Sequence, residues 1–189
     1  PWCSGGSLWD LPPPPPHIAN QAVSVLLRTL LPAASVIARK GIVHNDIQPQ
    51  NIVFQATTDD WKAFLQSATL LDFGQAVVPK RDTAVVLEDL EGTGGPFSAP
   101  YGVHWGGRDT YGVLVSVLWW VCKTRDDSGW YARFGGNEKA TVDHSECAEF
   151  HSEDADVSGS DTCVHATFTT WLAGSPTWRR LSEPVRSFF

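Results

Sequence analysis

The sequence predicts an α+β fold that is mainly helical, with short β-hairpins around two loops. Three observations carry this expectation. From Ile18 to Ala38 the apolar residues Ile18, Ala22, Val25, Leu26, Leu30, Ala33 and Ile37 recur every three or four positions, the period of a helix with one buried face. The run Tyr111–Cys122 is apolar nearly all round, which fits a helix buried on most faces. Between them lie short apolar stretches of strand length, Ile42–Val43, Ile52–Phe54 and Thr69–Leu71.

Taken in order, residues 1–17 are rich in Gly, Ser, Trp and Pro, and Pro12 to Pro16 favour an extended polyproline segment. This reads as a linker or surface strap; a ligand for an SH3-type domain would need a second basic anchor. Pro32 kinks or breaks the helix that follows. Gly41 ends it, because glycine tolerates a left-handed cap. Residues 55–68 are polar, with Trp61, Phe64 and Leu65 at helical spacing. An irregular stretch runs on to Pro100, and Asp109 precedes the second apolar helix. From Glu138 to Asp161 eight acidic residues face one lysine, Lys139, the pattern of a solvated loop or insertion. The stretch Trp171–Phe189 reads as a helix, a turn at Ser175-Pro176 and a second helix.

The composition narrows the classes. The 189 residues suit one domain and begin at Pro1, with no Met anywhere, as a fragment of a longer protein would. At 42% hydrophobic residues and nine Trp, a core can be filled. A net charge of −7 argues against nucleic acid as the main partner, since phosphate binding needs clustered Lys and Arg. No apolar run reaches transmembrane length, so no membrane span is expected. Cys122 reads as a buried thiol, whereas Cys147 and Cys163 share a polar segment and could pair in an oxidising compartment. His144, Cys147, His151, Cys163 and His165 match no standard zinc spacing and are read as part of an acidic loop. Cytoplasm and secretion both fit these counts, and they leave oligomeric state open.

Two stretches carry the chemistry. Gly41-Ile-Val-His-Asn-Asp-Ile-Gln-Pro-Gln-Asn-Ile-Val-Phe54 places the acid Asp46 and the amide Asn51 on one loop ending in an apolar strand. Leu70-Leu-Asp-Phe-Gly-Gln-Ala76 places a second acid, Asp72, at a strand end before Phe73 and Gly74. Singly, Asp46, Asn51 and Asp72 would be ordinary turn residues. Together, one acid to orient a hydroxyl, with an amide and a second acid to hold Mg²⁺ on nucleotide phosphates, are what phosphoryl transfer requires.

The pair resembles the catalytic loop and the metal-binding Asp-Phe-Gly of protein kinases. Later segments resemble the same family in order. Gly92-Thr-Gly-Gly-Pro-Phe-Ser-Ala-Pro100 is similar to the end of an activation segment, Asp109 to the acid that pins the catalytic-loop backbone, and Ser175-Pro-Thr-Trp-Arg179 to the Asp-Pro-x-x-Arg before the last helix. The resemblance implies a kinase C-terminal lobe over residues 18–189, with the acidic loop at about 138–161, and ATP and Mg²⁺ as cofactors. It also implies roles. Asp46 would orient the substrate hydroxyl, and Gln48 would occupy the position of the catalytic-loop Lys. Asn51 and Asp72 would ligate Mg²⁺, and Val53 would form an apolar floor under adenine. Gly74 would supply the turn that aims the metal-binding acid, while His44 and Phe73 would belong to a packed internal spine.

Several positions depart from the family pattern. Asn45 replaces the Arg that holds a phosphorylated activation loop, so switching through Thr83 or Thr93 loses its usual acceptor. Gln48 brings no charge to the transferring group. Tyr101 replaces the Glu that pairs with the Arg179 position, so Arg179 is expected either to be exposed or to find another acid, Glu183 among the candidates. Neither a Gly-rich phosphate loop nor a Val-Ala-x-Lys strand is present, which implies that the N-terminal lobe is absent and that these residues alone bind ATP weakly.

Three functions fit. The first is the C-lobe of a Ser/Thr-type protein kinase acting on a protein substrate, a form that Pro49-Gln-Asn51 resembles. The second is a pseudokinase scaffold with a docking partner, suggested by Asn45, Gln48 and Tyr101. The third is a small-molecule kinase of the aminoglycoside or choline kinase type, suggested by His44-Asn-Asp46 and Gln48. The divergent loop, proline strap and insertions also resemble rhoptry-type kinases.

Overall fold

The computed structural model describes residues 3–55, 59–79, 105–123 and 176–186. The predicted activation-segment end, the acidic loop with its Cys and His residues, Tyr101 and the helix from Trp171 lie outside the described residues.

The elements are α1 (Ala19–Arg39), β1 (Ile52–Phe54), α2 (Trp61–Gln66), β2 (Ala68–Leu70), α3 (Trp105–Cys122), α4 (Pro176–Arg180) and α5 (Glu183–Arg186), with short 3-10 turns at Pro49–Asn51 and Phe73–Gln75. Mixed helix with a two-stranded sheet agrees with the α+β expectation. In α1 the stripe Ala19, Ala22, Val23, Leu26, Leu27, Leu30 and Ala34 is buried, and the helix packs most extensively on α3. The helix runs unbroken through Pro32. An interior proline costs about 3 kcal/mol, which the buried stripe on both sides of it outweighs. Its end is a Schellman arrangement: Gly41 lies at φ 73°, its N–H donates to Ala38 O at 2.9 Å, and Ile42 N–H donates to Ile37 O at 3.3 Å. By length and mean hydropathy (1.5) α1 is also apolar enough to cross a membrane, although a third of that window is buried inside the protein.

β1 and β2 pair antiparallel with Ile52 opposite Leu70, one residue earlier on the second strand than its apolar run suggests. The intended strand at Ile42–Val43 is reduced to a single bridge, Val43 with Val77. In α2 the Asp60 carboxylate caps the helix by accepting the Lys62 N–H at 2.9 Å, and the Phe64 ring stacks on Phe54 at 4.6 Å.

The N-terminal segment lies along the free edge of β1. Gly5 N–H donates to Phe54 O, Phe54 N–H to Gly6 O, and Leu8 N–H to Ile52 O, at 3.0, 3.0 and 2.8 Å. A Cβ at position 5 would meet Phe54 Cβ at 2.8 Å, so only glycine allows this approach. Leu8 is fully buried in the main core. Trp9 stacks on Trp119 of α3 at 4.6 Å, Lys123 Nζ donates to Trp9 O at 2.7 Å, and Trp120 Nε1 donates to Pro12 O at 3.0 Å. Pro12 to Pro15 wall an apolar cleft with Trp61 and Trp120.

At the C-terminal end Leu181 is buried, and Ser182 N–H donates to Asn20 Oδ1 at 2.9 Å, tying this segment to α1. Arg179 is exposed, and Glu183 pairs with Arg186 at 2.7 Å.

Candidate functional site

The loop from His44 to Gln48 leaves α1 through Gly41 and is gripped by α3. Asp109, itself buried, spends both carboxylate oxygens on main-chain donors: Oδ2 accepts from His44 N at 2.8 Å and Oδ1 from Asn45 N at 2.9 Å. This is the contact that the resemblance assigned to Asp109. One turn further on, a Cβ at Gly112 would stand 2.7 Å from Ile47 O and 2.9 Å from Ile47 Cβ, so the loop lies directly on the α3 backbone. Asn45 adopts the left-handed conformation (φ 64°), which Asn tolerates better than most residues, and its Oδ1 accepts from Arg108 Nε at 2.9 Å.

Held this way, Asp46 is half-buried between two amides. Asn51 Nδ2 donates to Asp46 Oδ2 at 2.8 Å and to Asp46 O at 2.9 Å, and Gln48 Nε2 lies 3.2 Å from both carboxylate oxygens. Burial raises the Asp46 pKa above its ordinary value. The hydrogen bonds from Asn51 and Gln48 and the field of His44 oppose that rise, and the negative charge of Asp72 adds to it. The Gln48 amide therefore turns back onto the carboxylate of its own loop.

His44 is fully buried. Its Nε2 lies 2.9 Å from Leu71 O, and since a carbonyl only accepts, Nε2 carries the proton. Its ring sits 4.5 Å from that of Phe73 at a 45° tilt. Phe73 itself is 48% exposed, so only the His44 half of the expected internal pair is enclosed among the described residues. Leu71 and Val78 are exposed beside it in sequence.

The second acid arrives from β2. Leu71 N–H donates to Asn51 O at 2.8 Å, which ties the strand end to the segment following Asp46, one residue before Asp72. The left-handed residue here is Asp72 (φ 61°), whereas the sequence suggested that Gly74 would make the turn. The carboxylate explains the difference. Asp72 Oδ1 accepts the Gly74 N–H at 3.1 Å, closing a local turn that compensates the backbone conformation. Gly74 contributes closeness: a Cβ there would lie 3.0 Å from that same oxygen. Val53 is buried in β1 but stands apart from the main core that Ile52 and Phe54 join, as strand alternation requires.

The oxygen donors fit a hard cation. Asn51 is oriented by its two Nδ2 bonds, which leaves Oδ1 as its candidate ligand atom, and Asp72 is exposed with one oxygen committed to Gly74. An amide and a carboxylate oxygen suit Mg²⁺, which is commonly held by one or two carboxylates together with substrate phosphates. Among the described residues no cluster of three or more His, Cys, Asp or Glu forms an all-protein metal cage. The residues that sequence reasoning missed are Arg108 and Gly112. A lone Arg before an apolar helix reads as a solvated start, and a helical Gly as a weak point, so neither announced its contact with the loop.

No family model matches the chain. Similarity to curated proteins is partial. Calcium-dependent protein kinase 28 of Oryza sativa subsp. japonica is 32% identical over 78 residues, covering 41% of this chain and 14% of that protein. Calcium-dependent protein kinase 11 of Arabidopsis thaliana is 32% identical over 78 residues, with 41% and 15% covered. Calcium-dependent protein kinase 21 of Oryza sativa subsp. japonica is 27% identical over 75 residues, with 40% and 12% covered. The matched stretch is thus a small part of each relative's length. These similarities support a distant, protein kinase-like relationship.

Proposed function

We propose that the chain is the C-terminal lobe of a protein kinase-like domain and contributes to phosphoryl transfer from ATP to a Ser or Thr hydroxyl of a protein. The observation that carries this reading is the Asp46–Asn51 contact at 2.8 Å, tied through the Asn51–Leu71 backbone bond to the strand end bearing Asp72. The negative charge of Asp72 acting on Asp46 supports the reading that these three oxygen-bearing side chains serve one site.

The chemistry follows from the residues. Asp46 keeps a lone pair for an incoming hydroxyl, because a carboxylate has about four acceptor positions and Asn51 and the divided, longer bond from Gln48 at 3.2 Å take up three. Burial makes its carboxylate a better proton acceptor than an exposed one. As the hydroxyl oxygen bonds to phosphorus and the bond to the nucleotide diphosphate breaks, Asp46 accepts the hydroxyl proton. Asn51 Oδ1 and Asp72 would hold Mg²⁺, which supplies charge neutralisation on the phosphates. Val53 would form the apolar floor under adenine.

Gln48 favours a second reading. A neutral amide committed to Asp46 leaves no cation at this position for the transferring group, the pattern that resembles small-molecule kinases. The test is transfer of label from γ-labelled ATP with Mg²⁺ by the complete protein, offered both Ser/Thr peptides and amino-sugar or choline acceptors. Peptide labelling that falls about 100-fold or more in Asp46→Asn supports the first reading. Labelling of small acceptors alone supports the second. No Asp46-dependent transfer to either would overturn both.

A further inference from the structure

We infer that Arg108 and Asn45 form a positioning pair that fixes the backbone of the loop bearing Asp46 and so sets where its carboxylate stands. The inference rests on the phosphoryl-transfer reading above and names a device for that same site. Three positions on one side of α3 meet the loop. Asp109 holds the N–H groups of His44 and Asn45, Gly112 lets Ile47 lie on the helix backbone, and Arg108 holds the Asn45 side chain. The residues on either side of Asp46 are thus clamped, while Asp46 itself is left half-exposed and turned to Asn51 and Gln48.

The residue types suit this task. Position 45 must accept a left-handed backbone and present a hydrogen-bond acceptor to Arg108, and Asn does both. Glycine would meet only the first demand, and an aliphatic residue neither. Arg108 is 4% exposed, so its side chain is enclosed in the fold, and the Nε of its planar guanidinium meets Asn45 Oδ1 at 2.9 Å. A lysine lacks a donor at that point on the stem. Rotating the Asn45 peptide would swing Asp46, and displacements near 1 Å at a reacting group can cost on the order of 100-fold in rate.

The test compares Asn45→Gly, Arg108→Lys, their combination and Asn45→Asp in the complete protein, with Asp46→Asn alongside. Asn45→Gly and Arg108→Lys are each expected to lower kcat about tenfold or more with the nucleotide KM within about threefold. The double variant should be no worse than the poorer single, since both break one contact. Asn45→Asp, which keeps the acceptor and tolerates the backbone, should restore kcat. A parallel measurement needs no turnover: hydrogen exchange of the Asn51 side-chain amide by NMR, which should speed up in Asn45→Gly and stay slow in Asn45→Asp. Unchanged kcat and unchanged Asn51 exchange in Asn45→Gly would overturn the inference. Failure of Asp46→Asn to lower transfer would instead overturn the proposed function, and the exchange measurement would still decide the positioning role.

Discussion

The Asp109 carboxylate receives the main-chain N–H of Asn45 at 2.9 Å, joining α3 to a loop 64 residues earlier in the chain. With its second oxygen on the His44 N–H, it satisfies two buried donors that have no place in a helix or sheet. Asp109→Ala would strand both. Each stranded donor costs about 1–3 kcal/mol, so a loss of about 3–4 kcal/mol is expected in urea unfolding, with about half of it in Asp109→Asn. A loss under about 1 kcal/mol in both would mean that the loop rehydrates without Asp109.

Gly112→Ala tests the contact between α3 and the loop. The new methyl would stand 2.7 Å from Ile47 O, and the atoms to be displaced belong to a clamped backbone. A destabilisation of about 1–3 kcal/mol is expected, despite the better helix propensity of alanine. Stabilisation would show that the loop yields freely.

Leu8→Ala tests whether the N-terminal segment is part of the core. The side chain is fully buried beside β1, and its truncation is expected to cost about 2–5 kcal/mol, measured by chemical denaturation. A change within about 0.5 kcal/mol, the range of surface substitutions, would return residues 1–17 to the status of a detachable strap.

Asp46→Asn should also alter the pH dependence of stability. Burial holds the folded-state pKa above the ordinary 3.8, so the folded protein binds the proton more tightly than the unfolded chain. The resulting contribution favours the folded state below 3.8 and is lost as pH rises through the folded-state value. Asn removes that dependence. At pH 7 the loss of the buried charge is expected to favour the variant over the parent, and that advantage is expected to shrink in acid. A Tm difference that does not vary with pH would contradict the burial argument.

Much of the frame was legible because it rests on periodicity and on residue types with few alternatives. The helix α1, the left-handed cap at Gly41 and the pinning acid Asp109 appear where sequence reasoning placed them. Of the expected stripe, Ala22, Leu26 and Leu30 are buried and Val25, Ala33 and Ile37 only partly so, the buried face being turned toward Ala19, Val23, Leu27 and Ala34. What escaped depended on contacts between distant segments. A Gly- and Pro-rich opening reads as a strap, yet Leu8 is in the core because Gly5 permits the approach to Phe54. Pro32 predicts a kink or a break from local backbone energetics, and the helix continues through it without a break. At the site, Asp46 and Asn51 were readable as a pair, but the Gln48 amide folding back on Asp46, and the left-handed turn passing from Gly74 to Asp72, depend on local hydrogen bonds. Arg108 carried no signal at all, because its partner is 63 residues away.

The most direct measurement of the central claim is paramagnetic line broadening by Mn²⁺, standing in for Mg²⁺, with nucleotide in the NMR spectrum of the complete protein. Selective loss of the Asn51 side-chain amide and of the backbone amides from Leu71 to Gly74, abolished by Asp72→Asn, is the expected result. Broadening centred elsewhere, or unchanged by that substitution, would mean that Asn51 and Asp72 do not share a cation.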